Sequence, residues 1–165
     1  MNPPNSKENM PTPIGATEEQ HAADAPEQDE YAGGDTIQLT NAKLDAAAIA
    51  CHEMNKTYCA AFMDFDHEHW DDCPEALQNS ARDGIIAICM NPAITPPELH
   101  NNWMMGKAAE GYVWGPTKSV VDKTHPSLIE YNELTYQERM KDLIFLSTAR
   151  AVLVRDGVLK ESHFF

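Results

Sequence analysis

Between Trp103 and His125 the chain gathers side chains suited to recognition. Trp103, Tyr112 and Trp114 offer flat apolar rings, Lys107, Lys118 and Lys123 offer ammonium groups, and His125 precedes a proline. From Trp103 to Leu128 the only acids are Glu110 and Asp122, so this stretch is locally basic within a chain of formal net charge −14. An aromatic face stacks on a planar ligand group, worth about 1–3 kcal/mol per base in nucleic-acid complexes, while ammonium and backbone N–H groups meet phosphate. The set therefore suits a planar, anionic ligand. The alternative is that Trp103 and Trp114 are core aromatics and the lysines solubilise a loop, since buried aromatics are common.

Other chemistries find less support. The sequence has no Gly-x-Ser-x-Gly, Walker loop, dinucleotide fingerprint or His-Glu-x-x-His, and no carboxylate pair stands out as an acid/base couple. Asp122 could orient His125 for proton transfer, but a histidine before proline in a loop more often holds backbone carbonyls. Cys51 and His52 are adjacent on a helical stretch and point in different directions, which defeats them as nucleophile and base. Residues 63–73 are dense in groups that bind metal: Asp64, Asp66, His67, Glu68, His69, Asp71, Asp72 and Cys73. A His-x-His pair with carboxylates suits zinc, but familiar zinc sites pair ligands from two separated clusters. The preferred reading is an exposed loop leading to a helix N-cap at Asp72, with Trp70 folded back over the core. A non-enzymatic binding module follows, with no catalytic residue, metal or cofactor expected.

The elements that position these residues are mostly helical. Leu44, Ala47, Ala48, Cys51, Met54, Tyr58, Ala61 and Phe62 recur with one buried helical stripe, and Asn41 offers an N-cap. A second helix runs from Pro74 to about Met90 and buries Leu77, Ala81, Ile85 and Ile88, with Gly84 allowing close approach of a neighbour. Thr95-Pro96-Pro97-Glu98 is a capping box that starts a third helix ending near Glu110, with Gly111 just beyond it. Tyr112-Val113-Trp114 alternates as a short strand that puts both rings on one face, and Gly115-Pro116 turns the chain out of it. Residues 117–133 read as a long irregular connection, kept in order by Leu128, Ile129 and Tyr131. A second capping box, Thr135-x-x-Glu138, opens a helix from about Tyr136 to Arg155 that Gly157 ends. Its run Leu143-Ile144-Phe145-Leu146 is apolar on more than one side, as in a central helix or one covered by a partner chain.

Composition bounds the rest. The first 35 residues hold five of the eleven prolines, and Lys7 against eight acidic residues gives them −7, half the charge of the chain. Such a segment cannot bury enough apolar surface to offset the entropy of ordering it, so residues 1–35 read as a disordered acidic tail and 36–165 as the folded domain. The acidic balance argues against binding duplex DNA or RNA, which needs a basic face. No segment approaches the roughly 20 apolar residues of a membrane span, and the N-terminus lacks a signal peptide, so a cytoplasmic protein is expected. Cys51 and Cys59 lie about 12 Å apart along one helix, too far to bridge, and with Cys73 and Cys89 read as reduced, buried thiols.

Several separated motifs between Leu44 and Val154 resemble the ryanodine-receptor (RyR) repeat domain. They are Trp103 and Lys107 late in a helix, Gly111-Tyr112-Val113-Trp114-Gly115-Pro116, Lys118, His125-Pro126, Tyr131-Asn132-Glu133-Leu134, and Arg139 with Lys141-Asp142. Upstream, Cys51 to Asn55 with Tyr58-Cys59 resemble the family's first helix, and Ser80-Ala81 with Asn91-Pro92 its second. The resemblance implies a mainly α fold of about four helices with short strand segments and long ordered loops. It also implies a twofold homodimer, because the channel repeats occur as pseudo-twofold pairs, and a single-copy module of the kind found in bacteria and phages. Its channel members bind adenine nucleotide between aromatic residues of a Gly-Trp-x-Tyr-Gly-Pro motif. That places Tyr112 where the family has Trp and Trp114 where it has Tyr, and the exchanged order leaves ligand identity open. The expected ligand is a nucleotide or nucleotide-derived second messenger; the alternative is a protein-interaction module with no small ligand.

Overall fold

The computed structural model describes residues 38–164, so the expected tail at 1–35 lies outside the described residues. The described chain is mainly helical, with α1 at Asn41–Ala61, α2 at Glu75–Met90, α3 at Pro96–Ala109 and α4 at Tyr136–Arg155. Two short strands, β1 at Val113–Trp114 and β2 at Thr124–His125, lie between α3 and α4.

Helix α4 is the hub. It packs most extensively on α1 and also touches α2 and α3, which explains why its sequence is apolar on several sides. Leu146, Ala149 and Leu153 fill the centre against Ala47, Ala48 and Cys51 of α1 and Ile85 and Ile88 of α2. The Cys51 thiol donates to the Phe145 carbonyl at 3.4 Å, crossing from α1 to α4. Burial pushes that thiol up to about 12, so it stays protonated and packs as a small apolar group. Gly84 brings α2 close to α4: a Cβ there would meet the Phe145 ring at 2.8 Å. Arg150 extends from α4 to the link between α2 and α3, donating through Nη2 to the carbonyls of Pro92 and Ile94 at 2.6 and 2.8 Å.

Several local expectations shift. The N-cap of α1 is Thr40, not Asn41, because the Thr40 backbone is extended and its hydroxyl accepts the Lys43 N–H at 3.4 Å. The buried stripe of α1 runs through Ala48, Cys51 and Cys59, which leaves Met54 and Phe62 about half exposed. Phe62 lies past the last helical residue, where the chain has left the helical rotation. On α2, Ile85, Ile88 and Cys89 are buried, whereas Leu77 in its first turn faces outward. Pro74, not Asp72, precedes α2 and supplies no side-chain cap. Trp70 does fold back: it is buried, stands edge-on to His52 at 5.6 Å and carries the Arg82 guanidinium 5.2 Å from its ring centre. All four cysteines are buried free thiols.

The connection from 117 to 133 is ordered and contains β2. Strands β1 and β2 run parallel, with Val113 opposite Thr124 and Trp114 opposite His125. Parallel partners this close in sequence need a tight return, supplied by an antiparallel bridge between Ser119 and Thr124. Within it the Ser119 hydroxyl donates to Asp122 at 2.8 Å and accepts the Asp122 N–H at 3.0 Å. Gly115 is required where β1 passes β2, since a Cβ there would lie 2.7 Å from the Thr124 side chain.

Candidate functional site around the α3 to β2 segment

Helix α3 presents His100, Trp103 and Lys107 on one face, three and four residues apart. Its start is secured by Glu98, whose carboxylate accepts the Thr95 N–H and hydroxyl, both at 2.8 Å. Its end is secured by Gly111 at φ +85°, a left-handed turn that lets the Tyr112 N–H reach back to the Lys107 carbonyl at 2.9 Å. The capping residues read from the sequence thus set where the aromatic strand leaves the helix.

Lys107 is only 7 % exposed, and both Glu110 carboxylate oxygens accept from its ammonium, at 2.9 and 3.0 Å. The same ammonium lies 5.2 Å from the Tyr112 ring centre, and that of Lys123 lies 5.7 Å from it. Tyr112 is half-buried, and its electron-rich face accounts for both cations. Lys123 also donates to the Glu110 carbonyl at 2.5 Å. Its own backbone sits at φ +51°, an uncommon conformation for a side-chain-bearing residue, at the turn into β2. Two of the three lysines in the set are therefore engaged with the protein. Lys118 is exposed and makes no ion pair or hydrogen bond with the described residues.

Trp114 is 58 % exposed although its backbone is held in β1. Trp103 faces inward, half-buried, edge-on to His125 at 5.0 Å and tilted against His100 at 5.5 Å. His125 is half-buried, and its Nδ1 accepts the Ser127 N–H at 3.1 Å. The proton of the neutral ring then sits on Nε2. Burial first, and the positive charge of Lys118 second, lower its pKa to about 4. His125 is thus neutral at pH 7, and its backbone partner is an N–H group, not the carbonyl expected from the sequence. Asp122 is bonded to Ser119, so the His125–Asp122 pair considered for proton transfer does not form.

His100 belongs to the site although no motif in the sequence marks it. Buried to 3 % exposure, it donates from Nε2 to the Ile129 carbonyl at 3.0 Å and faces the Asp142 carboxylate with Nδ1 at 3.3 Å. Burial alone lowers its pKa, but the hydrogen bonds to Asp142 and Ile129 outweigh it and hold the group above the usual histidine value. The available signal was the helical spacing His100, Trp103, Lys107. From His100 the ring contacts continue to Tyr131 at 5.8 Å, giving a line of rings from Tyr131 to His125. Ser127, Glu138 and Lys141 support its far end: the Ser127 hydroxyl donates to Glu138 at 3.0 Å, and Glu138 pairs with Lys141 at 2.9 Å.

At the Tyr131 end an open groove of about 360 Å³ is lined by Pro96, Tyr131, Tyr136, Arg139, Met140 and Leu143. Tyr112 and Trp114 do not line it. In the acidic loop, His67 and His69 diverge: His67 approaches Asp64 at 3.3 Å, whereas His69 accepts from Lys56 at 2.8 Å and approaches Glu53 at 3.3 Å. The His-x-His pair therefore makes no common site.

Comparison with known proteins bears on the same segment. A search among curated proteins finds no match to this chain. The family model of the RyR domain matches residues 95–157, from the N-cap of α3 to the glycine that ends α4, so the resemblance holds across the stretch that builds the candidate site, with α1 and α2 outside it.

Proposed function

We propose that this chain is a non-enzymatic small-molecule binding module that senses or sequesters a nucleotide or nucleotide-derived second messenger. The observation that carries this reading is Trp114, a large indole kept more than half exposed on a strand whose backbone is tied down. Leaving that area in water costs apolar burial, and an exposed ring on a backbone held in a strand pair is a ready platform for a flat ligand group. Lys118 is the ammonium left uncommitted to meet phosphate, and its field reaches His125, which lies opposite Trp114 in the strand pair. Lys107 and Lys123 hold the Tyr112 ring just before the strand, and Trp103 packs edge-on to His125, the strand-pair partner of Trp114. We read the chain as the single-copy bacterial or phage type, cytoplasmic and acting as a twofold homodimer.

A second reading is favoured by the loop tip. Val120 and Val121 are 71 % and 93 % exposed in the loop that joins β1 to β2, and Val113 and Trp114 of β1 are exposed as well, apolar residues that also suit a protein partner. The two readings separate in one pair of experiments. Titration with mono-, di- and cyclic nucleotides is expected to quench tryptophan fluorescence and raise the melting temperature. If neither changes across the panel, and a pulldown retains a partner that is lost on removal of residues 1–35, the interaction module replaces the nucleotide reading.

A further inference from the structure

We propose that Cys59, Asp64 and His67 form a binding site for a divalent cation of the zinc class. Their ligand atoms already lie within 4.8 Å of one another. The local fold explains how. Helix α1 ends at Ala61, the backbone turns through Met63 at φ +63°, and the Asp64 N–H bonds back to the Cys59 carbonyl at 3.1 Å. That hairpin-like return sets Asp64 over the Cys59 side chain. The Asp66 N–H holds one Asp64 oxygen at 3.3 Å, while the other faces His67 Nε2 at 3.3 Å.

Zinc bonds of about 2.0–2.2 Å to nitrogen and oxygen and about 2.3 Å to sulfur place neighbouring donors of a tetrahedron roughly 3.3–3.6 Å apart. The Asp64–His67 pair has that spacing already, and from a separation of at most 4.8 Å the sulfur needs to close by up to about 1.2 Å. A thiol and an imidazole beside one carboxylate select a borderline-soft ion over calcium or magnesium, which prefer all-oxygen shells. Cys59 is buried at 3 %, whereas the side chains of Asp64 and His67 are 43 % and 32 % exposed, giving the ion a protected anchor and an open entry side. On binding, the Cys59 thiol proton leaves to solvent, the thiolate sulfur becomes a ligand, and water takes the remaining position. The ion would staple the end of α1 to the 64–67 loop; no catalysis is assigned to it.

One group opposes it. The Lys141 ammonium of α4 interacts with both Cys59 and Asp64, and Glu138 holds it at 2.9 Å. It supplies the positive charge the ligand set attracts, and the metal must displace that interaction. This gives the test a signature that adventitious binding to surface acids lacks. The full-length reduced protein is titrated with Co2+, read by the thiolate-to-cobalt charge-transfer band and by competition with Zn2+. We expect one equivalent, weakened by at least about tenfold in Cys59→Ala and His67→Ala. His69→Ala leaves it unchanged, and Lys141→Met tightens it by about threefold or more, the order of one exposed to half-buried charge contact. If Cys59→Ala does not fold, His67→Ala and Asp64→Asn decide, since both alter side chains that are 32 % and 43 % exposed and lie outside the core. A folded protein with no thiolate band at stoichiometric Co2+, or a band indifferent to His67→Ala, overturns the proposal.

Discussion

The two histidines of the candidate site respond to acid in opposite directions, and His125 dominates the loss. Its folded pKa of about 4 lies below the unfolded value of 6.5, so the unfolded chain takes up the proton first. Its contribution to stability is complete above the unfolded value and is lost as pH falls from there toward the folded one. One unit of pKa difference corresponds to about 1.4 kcal/mol. Between about pH 7.5 and pH 5 the linkage integral comes to about 2 kcal/mol, or about 1–2 kcal/mol once partial solvent screening of a half-buried ring is allowed for. His100 runs the other way: its raised folded value contributes stability that is fully present below 6.5 and is lost as pH rises through the folded value. The carboxylates held below their usual range, including Glu53 and Asp64, lose their contribution mainly at still lower pH. The comparison is therefore made with His125→Asn, which keeps an acceptor for the Ser127 N–H but cannot titrate. Urea unfolding followed by tryptophan fluorescence is measured at both pH values. The wild type is expected to lose about 1–2 kcal/mol more than the variant on acidification. Equal losses in the two proteins would refute the inference that burial and Lys118 keep this ring neutral.

Other perturbations follow from the same geometry. Arg150→Met leaves the Pro92 and Ile94 carbonyls without their shared cationic donor and is expected to cost about 2–3 kcal/mol in chemical denaturation. Gly84→Ala gains about 1 kcal/mol of helix propensity but drives a methyl into the Phe145 ring, so a net loss of about 1–2 kcal/mol is expected; Gly84→Ala with Phe145→Leu should recover most of it. Trp114→Ala removes an exposed ring and is expected to change the melting free energy by less than about 0.5 kcal/mol. In nucleotide titrations the same substitution should weaken binding by about 1–3 kcal/mol, and unchanged affinity would remove Trp114 from the site.

Much of the fold could be read directly, because its signals are local. The capping box at Thr95, the glycines after α3 and α4 and the periodic apolar positions each depend on a few neighbouring residues, and they located four helices to within a turn. Gly84 and Trp70 were also legible, one as a place for close approach and the other as a ring that folds back. The sequence alone also identified α3, the aromatic strand and the loop to His125 as the likeness to the RyR domain, since the order of motifs along a chain needs no coordinates.

What the sequence left open was which partner each charge and ring would choose, and that is a matter of tertiary distance. Lys107 and Lys118 look equivalent as residues; helical spacing alone gives Lys107 Glu110, but the turn at Gly111 brings the Tyr112 ring against it, while the return at Ser119 leaves Lys118 in solvent. His67 and His69 stand two apart, yet the end of α1 gives one Cys59 and Asp64 and the other Glu53. His100 acquires its importance from Ile129 and Asp142, 29 and 42 positions away. Helix starts and stops are decided by bonds within one or two turns, whereas the charge, accessibility and proton affinity of a side chain are decided by whatever distant segment the core brings against it.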